Sequence, residues 1–422
     1  MIADTDIVVV GAGVAGLSAA AALRKAGRDC VVLEASDRIG GRAFTSHPAA
    51  LGGAWFDHGA TWLHAAERNP LADMARAAGE TVIDADAVRR WRLQVGTREA
   101  TADEAAAYRA AWDEFEAVVG TRADRAPDIA FAEAMAPLQG NPWAATIQLW
   151  EAAQIAAADP AIFSLHDWRL NELEGKNLLI DGGIGSFVAR HMGAMAGKVA
   201  CDTPATRIAW GDGVVVETPR GTIRAKAAIV TVSTGVLAGM AFSPALPGHV
   251  RDAIDGLPMG LLTKVAVPAR GADRLGLPDG LSVRRQSAPG EHAISFTAWP
   301  NGRPYLQCFV GGPKAWALSQ EGVAATQDFV LGQIAAVLGA DALKSLGPPL
   351  VTGWGTDPWH RGSYAFATVG NAGARGVLGT PLADGRLVFA GEAVCTDGLA
   401  GTVGGACVSG RAAALGVMAA LG

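Results

Sequence analysis

Cysteine is scarce and scattered. Cys30, Cys201, Cys308, Cys395 and Cys407 show no C-x-x-C spacing, which argues against a disulfide framework or a thiolate metal knuckle. They read as free thiols in a reducing compartment, so a cytoplasmic location is expected. Basic charge is not in excess: 35 Lys and Arg stand against 41 Asp and Glu, a net charge of −6. That balance disfavours nucleic acid as a principal partner. Long apolar runs are also lacking. None reaches the roughly 18 residues that span a bilayer, and the apolar end 412–421, preceded by Arg411, fits a packed helix better than an anchor. The first strand begins by Ile7, leaving no room for a signal peptide. No metal-ligand spacing, Ser/His/Asp triad, internal repeat or low-complexity tract is found. What remains, half the 422 residues apolar and 18% charged, suits a large buried core in two or three domains.

The most informative stretch is Ile7-Val-Val-Val-Gly-Ala-Gly-Val-Ala-Gly-Leu-Ser, followed by Val31-Val-Leu-Glu34. An apolar strand enters a glycine-rich turn, then an alanine-rich helix, then a second strand ending in an acid. Gly11, Gly13 and Gly16 allow the tight turn, close approach to a pyrophosphate, and helix–strand packing. The helix N-terminus offers unpaired N–H groups to phosphate. Glu34 is placed to accept from an adenosine ribose and argues against NADP. Ala15 and Ala35 flank these contacts. The motif alone does not separate NAD from FAD. Gly40, Gly41 and Arg42 tip the balance to FAD, as a second approach to the pyrophosphate with a neutralising guanidinium, the bland alternative being a plain turn with a solvated arginine.

Along the chain, residues 1–45 read as β-α-β, 51–64 as a short strand with glycine-rich approaches, and 69–78 as a helix entered through Pro70. From 100 to 175 the pattern is helical, with Tyr108, Trp112, Phe115, Phe131, Trp143, Trp150 and Trp168 read as core. Strands follow at 177–180, 207–210, 213–218, 222–225 and 228–232, with a hairpin turn at Gly211-Asp212-Gly213. Strands at 261–267, 293–299 and 305–311 suggest a second, largely antiparallel sheet. A helix at 320–338 precedes a closing strand 387–390, a glycine-rich turn and a helix 403–420. That last unit could dock a second part of an extended cofactor.

Taken with Gly59-Ala-Thr-Trp-Leu-His64, Gly182-Gly183, Leu262-Thr-Lys264-Val, Trp354-Gly-Thr-Asp-Pro-Trp-His-Arg-Gly-Ser-Tyr364 and Ala390-Gly-Glu392, the whole chain resembles the flavin-containing amine oxidases. This group includes monoamine oxidases, polyamine oxidases and lysine-specific histone demethylases. The resemblance implies an α/β fold: a Rossmann-like FAD-binding domain built from separated segments (1–75, 176–260 and 385–422), with an inserted α+β substrate domain (76–175 and 261–384). It implies that Glu34 holds the ribose, that Arg42, Gly391 and Glu392 lie near the pyrophosphate and ribityl chain, and that Gly401, Thr402 and Val403 approach the isoalloxazine. Ala205 would lie beside the adenine, with Ala60 and Thr61 also at the cofactor. Ser363 replaces the cysteine that tethers flavin covalently in some members, so non-covalent FAD is expected.

By the same resemblance Lys264 holds a water at the flavin, and Trp354 and Tyr364 line the flavin face. A second aromatic wall is missing near Gly398–Gly401, with Leu399 as its expected replacement. His64 would bind a distal amine or act as a local base, and Phe296, Trp299 and Trp359 are further wall candidates. The implied reaction oxidises an amine to an imine that water hydrolyses, with O₂ reduced to H₂O₂. The implied partners are a small-molecule amine and O₂, without nucleic acid or membrane, in a monomer or homodimer. An L-amino-acid oxidase, using Arg361 or Arg284 for the substrate carboxylate, is the alternative enzyme. A flavin-binding protein without turnover is the alternative outside catalysis.

Overall fold

The computed structural model describes residues 4–125, 127–271 and 273–422. Strand Thr5–Val10 is apolar on both faces, with Ile7, Val8 and Val9 wholly buried. Such a strand belongs in the middle of a parallel sheet covered on both sides. It pairs in parallel with Cys30–Leu33 and Gly221–Val230. Around them an eight-stranded sheet forms in the order Ala241–Ser243, Arg207–Trp210, Val214–Thr218, Gly221–Val230, Thr5–Val10, Cys30–Leu33, Val199–Ala200, with Leu387–Phe389 also pairing with Gly221–Val230.

The strands expected at 222–225 and 228–232 are one continuous strand, Gly221–Val230. Its first half alternates exposed and buried residues against the antiparallel Val214–Thr218, whereas Ala227–Val230 are buried on both faces. The change of burial pattern at Lys226 reads as a break in sequence. It is a passage from sheet edge to sheet centre.

Helix Val14–Lys25 lies against Val403–Leu421, the closing helix. Gly410 makes the approach possible, since a Cβ there would lie 2.1 Å from the Ala15 carbonyl oxygen. Contrary to the sequence expectation, Val403–Leu421 is long and apolar enough to cross a membrane, the one such helix among the described residues. Its Ala406, Cys407, Ala413, Ala414 and Val417 are instead buried in the core around the first helix.

The second sheet has seven strands, in the order Leu350–Val351, Leu262–Pro268, Tyr305–Gly311, Ser295–Ala298, Leu281–Arg285, Arg90–Val95, Arg98–Glu99. All its pairings are antiparallel except that of Leu281–Arg285 with Arg90–Val95. These two strands escaped the sequence reading because Arg90, Arg92, Arg284 and Arg285 mask the β pattern. The helix expected at 320–338 is two helices, Gly312–Glu321 and Val323–Leu338, broken at Gly322 with φ +104°.

The helical region 102–170 buries Phe115, Phe131, Trp143, Phe163 and Trp168 together. Trp150 departs from the core expectation and faces the central cavity. One domain boundary also shifts. The segment after Tyr364, expected with the substrate domain, packs Ala365, Ala367, Ala374 and Leu378 into the core of the eight-stranded sheet. Helix Ala374–Gly379 lies on Gly248–Asp255 there.

Candidate active site

A cavity of about 600 Å³ is lined by residues of both sheets, the helical region and the closing turn. At its nucleotide end the glycines divide their work. Gly11 (φ +103°) takes a backbone conformation that strains a side chain, and Gly13 faces Gly41 so closely that a Cβ on Gly41 would lie 3.2 Å from the Gly13 Cα. Gly16 does not line the cavity. A Cβ there would stand 1.9 Å from the Gly11 carbonyl oxygen, so its role is packing.

The helix after Gly13 has no side-chain cap, leaving first-turn N–H groups for an anion. Glu34 is buried and oriented: the Ala12 N–H donates to Oε2 at 2.7 Å, and the Ser36 N–H and hydroxyl donate to Oε1, each at 2.9 Å. Ala15, Ala35, Gly40, Thr203 and Ala205 complete this end. A cradle that side chains would fill, an uncapped helix and a fixed carboxylate fit an adenine dinucleotide. Arg42 does not face solvent as a free cation. Its Nη1 donates to Glu392 Oε1 and to the Ser363 carbonyl, both at 2.8 Å, tying three chain segments together beside Gly391.

Midway, strand alternation sets the wall. In Leu262–Pro268, Val265 and Val267 enter the sheet core while Leu262 and Lys264 face the cavity. Lys264 pairs directly with Phe309, and Ser295 and Thr297 on the next strand line the same cavity. Lys264 is 4% exposed. Its Nζ donates to the Gly59 carbonyl, the Thr61 hydroxyl and, at 3.4 Å, the Asp57 carbonyl, with the Trp62 ring 5.5 Å away. Burial lowers its pKa to about 8, against the opposing pull of Asp57. Tyr364 lies against Gly401 and donates its hydroxyl to the Ile155 carbonyl at 2.9 Å. The Trp354 Nε1 donates to the His58 carbonyl at 2.8 Å. Ala60, Thr402, Val403 and Trp359 also line this part.

Farther out, His64 Nδ1 meets Asn177 Oδ1 at 2.6 Å, and burial holds the imidazole below its usual pKa. Trp62, Trp91 and Trp150 line the cavity here with Arg89, whose guanidinium lies 5.8 Å from the Trp62 ring and 5.4 Å from the Trp91 ring. Glu151 is opposite in kind. The only hydrogen bond to its carboxylate among the described residues comes from Trp168 Nε1 at 3.0 Å, and burial raises its pKa to about 7. At the same wall Asp167 is neutralised by Arg375 through bonds of 2.8 and 2.9 Å.

Three expectations fail. Leu399 is 1% exposed and packs with Ala65, Cys395 and Ala400, away from the cavity; Ala400 and Gly401 take the wall instead. Trp299 is wholly buried, with Nε1 donating to the Leu277 carbonyl at 3.0 Å, and belongs to the core. Phe296, by contrast, keeps its expected place at the cavity wall while also packing in that core. Neither arginine proposed for a carboxylate lines the cavity: Arg361 is on the surface, and Arg284 is stacked behind Trp150 at 3.6 Å. The sequence reading also passed over Trp62, Phe309, Trp91, Arg89 and Glu151. Trp62 lay inside a quoted motif, and the alternation of Tyr305–Gly311 would have put Phe309 on the Lys264 face.

Residues 14–418 match the family described as flavin containing amine oxidoreductase. The chain is 27% identical to polyamine oxidase 5 of Oryza sativa subsp. japonica, with 97% of this chain and 87% of that protein covered. It is 29% identical to lysine-specific histone demethylase 1 homolog 3 of Oryza sativa subsp. indica, spanning 96% of this chain but 53% of that protein. A wild-type putrescine oxidase structure bound to putrescine superposes with a TM-score of 0.80 at 21% identity, covering 99% of each chain.

Proposed function

This chain belongs to the flavin-containing amine oxidoreductases and is an FAD-dependent enzyme acting on amine donors, and on that premise we propose that it oxidises an amine to an imine, which water hydrolyses to an aldehyde and a smaller amine or ammonia. FAD, held by Gly11, Gly13, Glu34 and the Gly401–Val403 turn, would supply the two-electron acceptor for the carbon next to nitrogen, with O₂ as the final oxidant yielding H₂O₂. Ser363 at the tethering position supports non-covalent FAD. The observation that carries the reading is Lys264, a buried amine on the cavity wall among fixed acceptors. There it can hold a water and hand it a proton or take one while bulk solvent is kept out. Tyr364, Trp62 and Phe309 orient the substrate nitrogen beside it.

Glu151 supports a substrate with a second cationic nitrogen, because no cationic side chain bonds its carboxylate among the described residues. Polyamine oxidase and putrescine oxidase among the similar proteins favour the same class. A second reading, oxidation of an amino acid, has Arg89 in its favour, since that guanidinium lines the cavity. A peroxidase-coupled H₂O₂ screen over monoamines, diamines, polyamines and amino acids tests both. Peroxide from di- and polyamines supports the first; peroxide from amino acids alone supports the second. A flavin-loaded protein that is bleached by none of them defeats the proposal.

A further inference from the structure

The outer end of the cavity carries a guanidinium that the protein leaves without an acceptor. Trp91 stands on Arg90–Val95, four strands from Lys264 in the second sheet, about 19 Å at the usual strand spacing. It pairs across the sheet with Ser282, which pairs with Thr297, and all three line the cavity. Two guanidiniums flank the half-exposed Trp91 ring, Arg284 at 4.7 Å and Arg89 at 5.4 Å. Arg284 is spoken for: it donates to the Tyr108 hydroxyl and stacks on Trp150. Arg89 lines the cavity, and among the described residues no oxygen accepts from it and no carboxylate pairs with it; the rings of Trp91 and Trp62 hold it. Asp86, the acid whose charge acts on Arg89, has both oxygens engaged by Asn177, which donates its N–H at 2.9 Å and its Nδ2 at 3.2 Å. A guanidinium is a planar fork that matches a carboxylate with two parallel N–H bonds, and flanking indoles fix the direction of that fork.

Position decides which carboxylate can use it. The Trp62 ring lies 5.5 Å from Lys264 Nζ and 5.8 Å from the Arg89 guanidinium, so an indole links the reacting end to the outer end. In an α-amino acid the carboxylate is bonded to the carbon that is oxidised, and it would have to sit beside Lys264. A carboxylate on Arg89 sits farther along the cavity, toward Trp91. We propose that Arg89 is a specificity-determining residue that seats the carboxylate of an ω-amino acid, an amine oxidised at one end with its carboxylate several carbons away. The assignment rests on the amine-oxidase reading above. In the overall reaction the terminal CH₂–NH₂ group loses two electrons to O₂, which leaves as H₂O₂; water supplies the aldehyde oxygen, nitrogen departs as ammonia, and the carboxylate is unchanged. Where the same ligand carries an α-ammonium, as lysine does, Glu151 lies on the wall of the same cavity.

The test compares 6-aminohexanoate with cadaverine, which share one spacer and differ in a carboxylate against a second amine. On full-length, flavin-loaded protein, binding of 6-aminohexanoate is measured by titration calorimetry under nitrogen, and turnover by peroxide release in air. Arg89→Gln should weaken 6-aminohexanoate binding about tenfold or more, and should lower its kcat/KM relative to that of cadaverine by a similar factor. Arg89→Lys keeps the charge and loses the fork, so its values should fall between the two. Lysine should give the terminal aldehyde by mass spectrometry. Equal binding of 6-aminohexanoate by wild type and Arg89→Gln, or an α-keto acid from lysine, overturns the proposal. Cadaverine oxidised by a protein that neither binds nor oxidises 6-aminohexanoate also overturns it, and leaves the amine-oxidase reading standing. Arg89-dependent binding of 6-aminohexanoate in a protein that oxidises neither compound keeps the carboxylate site and loses the proposed function.

Discussion

At the scale of single residues, two side chains divide the chemistry, and each gives an expected outcome. Lys264→Met keeps the apolar stem and removes the amine. Turnover should fall by about 10²-fold with flavin absorbance retained, and an unchanged rate in steady-state kinetics would remove Lys264 from the reaction. Glu151→Gln should raise KM for a diamine about tenfold, the equivalent of one charge-assisted contact of about 1.4 kcal/mol, with little effect on a monoamine of equal length. The sign with pH follows from burial. With a pKa raised to about 7, Glu151 is neutral below that value and charged above it. Diamine KM should therefore rise as pH falls through 7, beyond the rise shown by the monoamine, and the excess should vanish in Glu151→Gln.

The same scale shows why Lys264 was legible in sequence and Glu151 was not. Lys264 was marked by the family resemblance and stands on a strand that was itself readable. Glu151 lies in Leu149–Ile155, a π-helical stretch, where a wider turn re-aims side chains relative to the 3.6-residue period. Trp150, Glu151, Gln154 and Ile155 all line the cavity from that stretch.

At the scale of elements, glycine and capping chemistry hold the cofactor end together. Gly16→Ala places a methyl against the Gly11 carbonyl, so the first turn must open. Reduced FAD retention on gel filtration is expected, whereas wild-type retention would assign Gly16 no packing role. Helix Val403–Leu421 starts at Thr402, whose hydroxyl accepts from the Gly405 N–H at 3.1 Å. Thr402→Ala should lower stability by about 1 kcal/mol in denaturant titrations. Leu399→Tyr tests the corrected wall. Because Leu399 is buried away from the cavity, the larger ring should destabilise the closing turn by about 1–3 kcal/mol without changing amine preference. Elements with uniform patterns, such as Thr5–Val10 and Tyr305–Gly311, were readable. Arg90–Val95 and Leu281–Arg285 were not, because their arginines are satisfied by rings and carboxylates that only the folded chain supplies.

For the whole molecule, the buried pair Asp167–Arg375 joins the helical region to the segment that packs on the eight-stranded sheet. Arg375 also donates to the Ala365 and Ala393 carbonyls at 3.1 Å, and Asp167 accepts from the Ala367 N–H at 2.7 Å. Removing one partner strands a buried charge, so Asp167→Ala should cost about 3–5 kcal/mol by denaturant unfolding. A smaller loss would mean that the two parts are held by apolar packing alone.

The sequence by itself determined the dinucleotide end, because Gly11, Gly13 and Glu34 act within one β-α-β unit whose geometry follows from neighbouring φ/ψ choices, whereas the pairing of Arg42 with Glu392 and Ser363 came from the fold. It also determined that Lys264 stands on a strand, which the fold buries almost throughout. Tertiary structure decided the substrate end. There Arg89, the neighbours Trp150 and Glu151, and Tyr364 come from three distant segments, and their facing depends on helix register and on which side of a turn meets the core. The turn 398–401 has no period to read, and packing against Ala65 and Cys395 is what sent Leu399 inward and left Gly401 at the wall.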